Sequence, residues 1–168
     1  MNDLQLDDIQ HFSRLIKEIK FCMFTTSHLE TGAMQSRPMT LQEMEFDGVL
    51  WFFAGKHSEL ARQLNANPNV NLAFSNPKNF SFLSAEGKAY LTVDGKKKDE
   101  LWNPAYKAWF PLGLEDPELS LIKVVIESAD YWESPDSALV RFVGFAKAIL
   151  GGKKADSSLG KHGHLNMS

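Results

Sequence analysis

The order of the apolar, β-prone segments along the chain constrains its fold most. Such residues concentrate in six segments: 21–26, 34–46, 49–54, 70–75, 80–91 and 119–132. Most of these segments follow one another through short polar turns, which is typical of antiparallel pairing. Consecutive antiparallel strands with few long crossovers form a closed or partly closed barrel. The sequence therefore predicts a mainly β, α+β domain built on a six-stranded antiparallel barrel.

Three positions predict local features of this sheet. Asp47-Gly48 lies between the second and third segments, and because a type I′ turn needs positive φ at both central positions, this pair predicts a tight hairpin. Pro38 has no backbone N–H, so its strand is expected to be interrupted there or to lie at an edge. Gly87 interrupts the fifth segment and predicts a β-bulge.

Four further segments carry a helical pattern. The predicted helices are 7–20, 58–64, 94–110 and 138–150. Ser58 is expected to cap the second helix, and Asn103 before Pro104 is expected to cap a turn within the third. The fourth segment is apolar almost all round, so its length and the glycine pair that follows it favour a buried helix.

Neither an internal repeat nor an interdomain linker divides the sequence. Its 168 residues suffice for one well-buried domain. We expect this domain to span residues 1–152. The polar segment 153–168 is expected to be a mobile tail, although Leu165 and Met167 are apolar enough to dock.

Charge and cysteine content argue against several partners. The net charge is −3, and acidic residues surround the one basic cluster, 96–98, so no nucleic-acid surface is expected. Cys22 is the only cysteine, which excludes an intrachain disulfide, and no apolar run is long enough to cross a bilayer. We therefore expect a cytoplasmic protein with no nucleic-acid or membrane partner.

Common catalytic motifs are missing from the sequence. It contains no GxxxxGK[ST] phosphate-binding loop, no GxSxG nucleophile elbow and no HExxH metal helix. His162 and His164 lie in the predicted tail, where a solvated pair is a better interpretation than a metal site. Spacing alone therefore assigns no catalytic residue and no metal ligand.

Two short segments have the chemistry to recognise an anion or a polar ring edge. In 35–39, Arg37 adds a forked cation beside the backbone interrupted by Pro38; the alternative is a surface salt bridge. In 54–58, Lys56 and Ser58 precede a predicted helix, whose N-terminal N–H groups and dipole favour a phosphate. The alternative there is an ordinary capped loop.

The segment 94–110 also carries an aromatic stripe. Trp102, Tyr106 and Trp109 are spaced to share one face of a helix. A stripe of this size is more typical of a core or a subunit interface than of a surface that stacks on a ligand.

These segments together resemble a known family. The run from Ser36-Arg37-Pro38-Met39 to Trp51-Phe52-Phe53 resembles the pyridoxamine-5′-phosphate-oxidase-like, FMN-binding split barrels, and more narrowly the small general stress proteins of bacteria. Five other segments fit that subgroup: Lys56–Leu60, Asn67–Leu72, Gly87–Ala89, Trp109–Gly113 and Tyr131-Trp132. The resemblance spans residues 7–150.

The resemblance implies a six-stranded split barrel that dimerises and holds FMN non-covalently in a groove between the two subunits. In such proteins the segment matching 37–39 lies against the isoalloxazine, the one matching 56–58 approaches the phosphate, and the one matching 81–84 lines the site. The candidates for FMN binding are then Arg37, Pro38, Met39, Phe53, Ala54, Lys56, His57, Ser58, Ser81, Ser84, Trp102 and Trp109.

One position departs from the family pattern. Many FMN-binding relatives carry a lysine where this chain has Leu60, which lowers the expected affinity for the phosphate. Residue 60 either faces that phosphate or faces the core beside Leu64, and the sequence leaves both orientations open.

The resemblance implies a flavin-binding protein, and the leading hypothesis for its activity is a flavin-dependent oxidoreductase of unknown substrate. Two alternatives remain: a non-enzymatic stress protein that binds or sequesters flavin, and a haem-binding split barrel with His57 as its axial ligand.

Overall fold

The structure is a computed structural model that describes residues 3–42, 46–134 and 161–167. The strands are β1 (Phe21–Ser27), β2 (Met34–Thr40), β3 (Val49–Gly55), β4 (Asn69–Asn76), β5 (Ser81–Thr92), β6 (Leu119–Glu133) and β7 (Lys161–Asn166). The helices are α1 (Asp3–Ile19), α2 (Glu59–Ala66) and α3 (Gly95–Leu101), with two 3-10 helices at Pro104–Ala108 and Gly113–Glu115. The predicted helix over 138–150 lies outside the described residues.

The seven strands within the described residues belong to one antiparallel sheet. The order is β2-β1-β4-β5-β6-β3, and β7 also pairs with β6. The long strand β6 pairs with β5 along one edge; on the other edge it pairs with β3 over 119–125 and with β7 over 128–133. The N–H of Gln42, just beyond β2, donates to the carbonyl of Trp51 in β3 at 3.0 Å, so the two ends of the sheet approach each other. The sheet is therefore an open, split barrel.

The core lies inside this curved sheet, beneath α1 and α2. Alternate residues of β4, namely Val70, Leu72 and Phe74, point inward and are buried. Helix α1 covers them with Phe12, Leu15 and Ile16, and α2 adds Leu60 and Leu64. Each such side chain contributes about 1.5–3 kcal/mol on burial, so the barrel and its two helices stabilise one another.

Two local predictions about the sheet are confirmed. Strand β2 is an edge strand in which Pro38 lies opposite Met23 of β1, and an edge strand tolerates a residue without an N–H. The register of β5 against β6 shifts between Glu86 and Gly87. A Cβ atom on Gly87 would lie 2.1 Å from the carbonyl oxygen of Val125, so the bulge requires glycine there.

The predicted hairpin at Asp47-Gly48 is wrong. Strand β2 ends at Thr40 and pairs with β1, whereas β3 pairs with β6. Of the two turn residues only Gly48 has a positive φ, of 93°, and the Asp47 carboxylate accepts the Val49 N–H at 3.2 Å. The reason is that β3 is buried on both faces, through Leu50, Trp51 and Phe52, and needs a central partner strand.

The helical segment predicted over 94–110 is divided between two helices. Helix α3 ends at Leu101, and a 3-10 helix begins at Pro104. Pro104 has no N–H for a helical bond and disfavours a helical conformation of the residue before it. The cap at Asn103 is confirmed, since its side-chain oxygen accepts the Ala105 N–H at 2.9 Å.

Six strands were expected, and the part of the chain that the structure describes contains seven. The additional strand, β7, comes from the segment expected to be a polar mobile tail. It covers the otherwise open edge of the second half of β6 and buries Leu165, which is only 1% exposed. The part of the expected tail over 153–160 lies outside the described residues. No helix within the described residues is long and apolar enough to cross a membrane.

Candidate functional site

A cavity of about 270 Å³ opens where β2, β3 and the first 3-10 helix meet. Its walls are largely apolar and aromatic, with a few backbone and side-chain polar groups. The lining residues are Pro38, Met39, Thr40, Gln42, Phe53, Ala54, Gly55, Tyr106, Trp109 and Phe110. This composition suits a planar ring system with polar edges.

An aromatic ladder forms one wall of the cavity. Phe53 contacts Tyr106 with ring centroids 5.1 Å apart and meets Trp102 edge-on at 5.9 Å. The Tyr106 hydroxyl donates to Gln42 Oε1 at 2.9 Å, and Gln42 Nε2 donates to the Thr40 carbonyl at 3.0 Å. These bonds fix the 3-10 helix against the segment after β2.

Trp109 lies at the rim of the cavity. Its ring follows Tyr106 at 6.5 Å, and its side chain is 72% exposed. The stripe predicted from the sequence therefore forms, although the helix is broken. Within this chain it is not core: it lies between the cavity and solvent.

The structure brings together five of the candidate residues. Pro38, Met39, Phe53, Ala54 and Trp109 line the cavity, and Trp102 lies behind Phe53. Pro38 and Met39 come from edge strand β2, and Phe53 and Ala54 come from β3. Because these two strands pair with other strands, their residues meet only through the curl of the sheet.

Arg37 belongs to a polar network centred on the buried side chain of Gln63. Its guanidinium Nη2 donates to Gln63 Oε1 at 2.8 Å, and the Thr26 hydroxyl donates to the same oxygen at 2.6 Å. Gln63 Nε2 donates to Gln35 Oε1 at 2.7 Å and to Glu59 Oε1 at 3.0 Å. Gln63 is 1% exposed, so the amide joins β1, β2 and α2 with all of its hydrogen-bonding groups satisfied.

Sequence reasoning missed Gln63. The one sequence signal for its role is that Gln63 is a polar residue on the inner face of α2, between Leu60 and Leu64. Buried amides require partners, and the pattern alone does not say which strands supply them. The bond to Arg37 was missed for the same reason.

The loop from Gly55 to Ser58 leads from β3 into α2. Ser58 caps the helix as predicted, because its hydroxyl oxygen accepts the Ala61 N–H at 3.2 Å. Lys56 is exposed, and Arg62 Nη1 donates to the His57 carbonyl at 3.4 Å. His57 pairs with Glu118, with Nδ1 and Oε1 2.8 Å apart, and this hydrogen bond lowers the pKa of the Glu118 carboxyl.

Ser81 and Ser84 lie away from this cavity. They are three residues apart in β5 and therefore face opposite sides of the sheet. Ser81 is buried, whereas Ser84 lies on the outer face and accepts a hydrogen bond from Asn71 Nδ2 at 2.8 Å. Within one chain these serines do not join the other candidates.

Leu60 faces the core. It is 5% exposed and belongs to the same buried cluster as Leu64. Of the two orientations left open by the sequence, the structure shows the inward one. Position 60 therefore presents no side chain to the loop.

Other reactive groups are structural. Burial raises the pKa of the Cys22 thiol to about 12, so the thiol stays protonated at neutral pH. On β7, His164 Nδ1 lies 2.9 Å from Asp130 Oδ1, and His162 stacks on Trp132 at 5.2 Å. Across the described ranges of the chain, no three side chains converge as metal ligands.

Comparison with known proteins identifies the family. The sequence model of the family described as pyridoxamine 5′-phosphate oxidase like matches residues 7–156. The chain belongs to the pyridoxamine 5′-phosphate oxidase-like family. Protein bli-3 of Neurospora crassa is 28% identical over 162 residues, which cover 91% of this chain and 76% of that protein.

Solved structures of general stress proteins share the fold. A general stress protein 26 candidate from Jannaschia sp. CCS1 superposes with a TM-score of 0.75 at 21% identity, over 96% of this chain and 99% of the other. A general stress FMN/FAD binding protein from Xanthomonas citri is 31% identical with a TM-score of 0.68, over 78% of this chain and 92% of the other. The resemblance read from the sequence is thus confirmed for family and fold.

Proposed function

We propose that this protein is a cytoplasmic, homodimeric FMN-binding protein of the general stress type and acts as a flavin-dependent oxidoreductase. The observation that carries the proposal is the cavity between β2 and β3. Its lining includes Pro38, Met39, Phe53 and Ala54, which the family resemblance names as candidates for flavin binding. The flavin-binding name of the Xanthomonas citri relative supports the same ligand.

The residues present fit a flavin ring. Phe53, Tyr106 and Trp109 offer aromatic surface, and Pro38 and Met39 offer an apolar floor. Polar groups of Thr40 and Gln42 lie at the edge of the same cavity, where they can orient a ring with hydrogen-bonding edges. When bound, the flavin supplies electron and hydride transfer, and the protein supplies position and polarity.

The size of the cavity supports a groove shared between two copies. Its volume, about 270 Å³, falls just below the range of about 300–1,000 Å³ found for ligand pockets. One chain alone therefore encloses only part of a flavin-sized ligand. A second surface is needed to cover the rest.

The outer face of the sheet offers such a surface. Ser75 of β4 lies opposite Phe82, and Phe82 lies opposite Trp132. Phe21, Phe82 and Trp132 are 65%, 41% and 45% exposed. A row of exposed aromatic side chains is typical of the centre of a protein interface. Ser84 shares this face, so a second copy docked here presents Ser84 to a neighbouring groove.

Flavin titration tests the proposal, with fluorescence quenching of added FMN as the readout. We expect saturable binding and a sedimentation mass of twice the chain at micromolar concentration. Trp109→Leu is expected to weaken FMN binding by about tenfold, the effect of losing about 1–1.5 kcal/mol of aromatic stacking. Tyr90→Leu is the matched control, because Tyr90 is a half-exposed aromatic residue outside the cavity lining.

Redox assays then separate the enzyme from a carrier. Reduction of the bound flavin by NADH or NADPH, followed by reoxidation with a defined acceptor, supports an oxidoreductase. Binding without reduction supports a sequestering protein instead. Failure to bind FMN would contradict the proposed function altogether.

A further inference from the structure

The loop between β3 and α2 has an acidic neighbour that the proposed function does not use. Glu118 precedes β6 and stands next to residues 55–58, the segment expected to approach the flavin phosphate. Its carboxylate is half exposed and ionised, because the hydrogen bond from His57 lowers its pKa. A negative charge is unexpected where a phosphate is to bind.

Glu118 contacts the loop through both backbone and side chain. Its carbonyl oxygen accepts the Lys56 N–H at 2.7 Å. Its carboxylate accepts the backbone N–H of His57 at 3.3 Å and pairs with His57 Nδ1 at 2.8 Å. The Ser58 N–H donates to the Gly55 carbonyl at 3.1 Å. All three N–H groups from Lys56 to Ser58 thus already have acceptors within the chain.

Asp116 holds Glu118 in this position. The Asp116 side chain is 9% exposed; one oxygen accepts the Glu118 N–H at 3.1 Å and the other accepts the Leu112 N–H at 3.3 Å. The bond to Glu118 closes the turn that leads into β6, and the bond to Leu112 spans the second 3-10 helix. The backbone of Glu118 is therefore held in place, and this positions its carboxylate beside His57.

The local charges nearly cancel. Lys56 and Arg62 bring two cations to this loop, and Glu59 and Glu118 bring two carboxylates. Leu60 faces the core and adds no cation. A phosphate dianion arriving here gains little from such a balanced set and is repelled by the carboxylate nearest to the loop N–H groups.

We infer that Glu118 is a specificity-determining residue that weakens recognition of the flavin's terminal phosphate. FMN then binds only slightly more tightly than riboflavin, and the ring and ribityl chain provide most of the affinity. This inference rests on the proposed flavin site.

The test is the ratio of riboflavin to FMN dissociation constants, measured by fluorescence titration. Glu118→Gln removes the charge and keeps an oxygen that accepts from His57. We expect it to tighten FMN binding by about tenfold, as removing one exposed charge a few ångströms from a dianion should. Riboflavin affinity should stay within about twofold, because riboflavin has no phosphate.

Glu115→Gln is the matched control. Glu115 is an exposed carboxylate in the second 3-10 helix, three residues from Glu118, and its loss changes the net charge equally. We expect this variant to leave both affinities unchanged. The thermal midpoint of each variant should show that the fold is retained.

Two results would overturn the inference in distinguishable ways. If Glu118→Gln leaves the ratio unchanged or weakens FMN while riboflavin still binds, Glu118 does not oppose the phosphate, and the flavin site itself stands. If the wild-type protein binds neither flavin, the proposed function fails and takes the inference with it.

Discussion

Replacing Leu60 with lysine would show what the start of α2 does. The side chain is 5% exposed and packs in the main core. Leu60→Lys loses about 1.5–3 kcal/mol of apolar burial, and it places an ammonium, or a neutralised amine, among apolar groups at a further cost of about 1–3 kcal/mol. We expect a total loss of about 3–5 kcal/mol, a large part of a typical stability of about 5–15 kcal/mol.

Thermal and urea unfolding measure this loss. For a chain of this length, each kcal/mol lowers the thermal midpoint by about 2–4 °C, so a drop of about 10 °C is expected. Asn65→Lys is the matched control, since it adds the same charge at an exposed position of the same helix and should change stability little. FMN and riboflavin affinities should change together. A variant as stable as the wild type that gains affinity only for FMN would refute the inward orientation of residue 60.

Two further predictions concern Arg37 and Cys22. Arg37→Ala removes one donor from Gln63, which still accepts from Thr26; urea unfolding should show a loss of about 1 kcal/mol, and FMN affinity should fall by about tenfold to a hundredfold if the guanidinium also contacts the flavin. Equal FMN affinity would remove Arg37 from the proposed site. Because burial raises the pKa of the Cys22 thiol to about 12, native protein at pH 8 should resist a thiol reagent that labels the urea-unfolded chain at once. The unfolded thiol ionises near pH 8.5, so this group's contribution to stability is complete below that pH and is lost as the pH rises toward 12. Rapid labelling of the native protein at pH 8 would contradict the burial of Cys22.

Features with local causes were predictable from the sequence. Pro38 at an edge, the bulge at Gly87 and the caps at Ser58 and Asn103 each follow from the chemistry of one residue and its immediate neighbours. The structure bears out all four. They required no knowledge of which strand pairs with which.

Features with non-local causes were not predictable from the sequence. The hairpin at Asp47-Gly48 was wrong because strand pairing follows the burial demands of β3, whose partner β6 lies about seventy residues further along the chain. The seventh strand was missed because 161–166 reads as polar. Strand β7 pairs with residues 128–133 of β6. That stretch is recognised as unpaired only when β3 is known to pair with 119–125 of the same strand.

The candidate site divides in the same way. The family resemblance named half of the ten residues that line the cavity, namely Pro38, Met39, Phe53, Ala54 and Trp109. It did not name Gln63 or Glu118, whose partners Thr26 and His57 are 37 and 61 residues away in sequence. Both residues act on the motifs without belonging to them: Gln63 ties Arg37 to α2, and Glu118 occupies N–H groups of the loop. Residues outside a motif can therefore change what the motif binds. In this family member, ligand affinity depends on the contacts of the loops as well as on the motifs themselves.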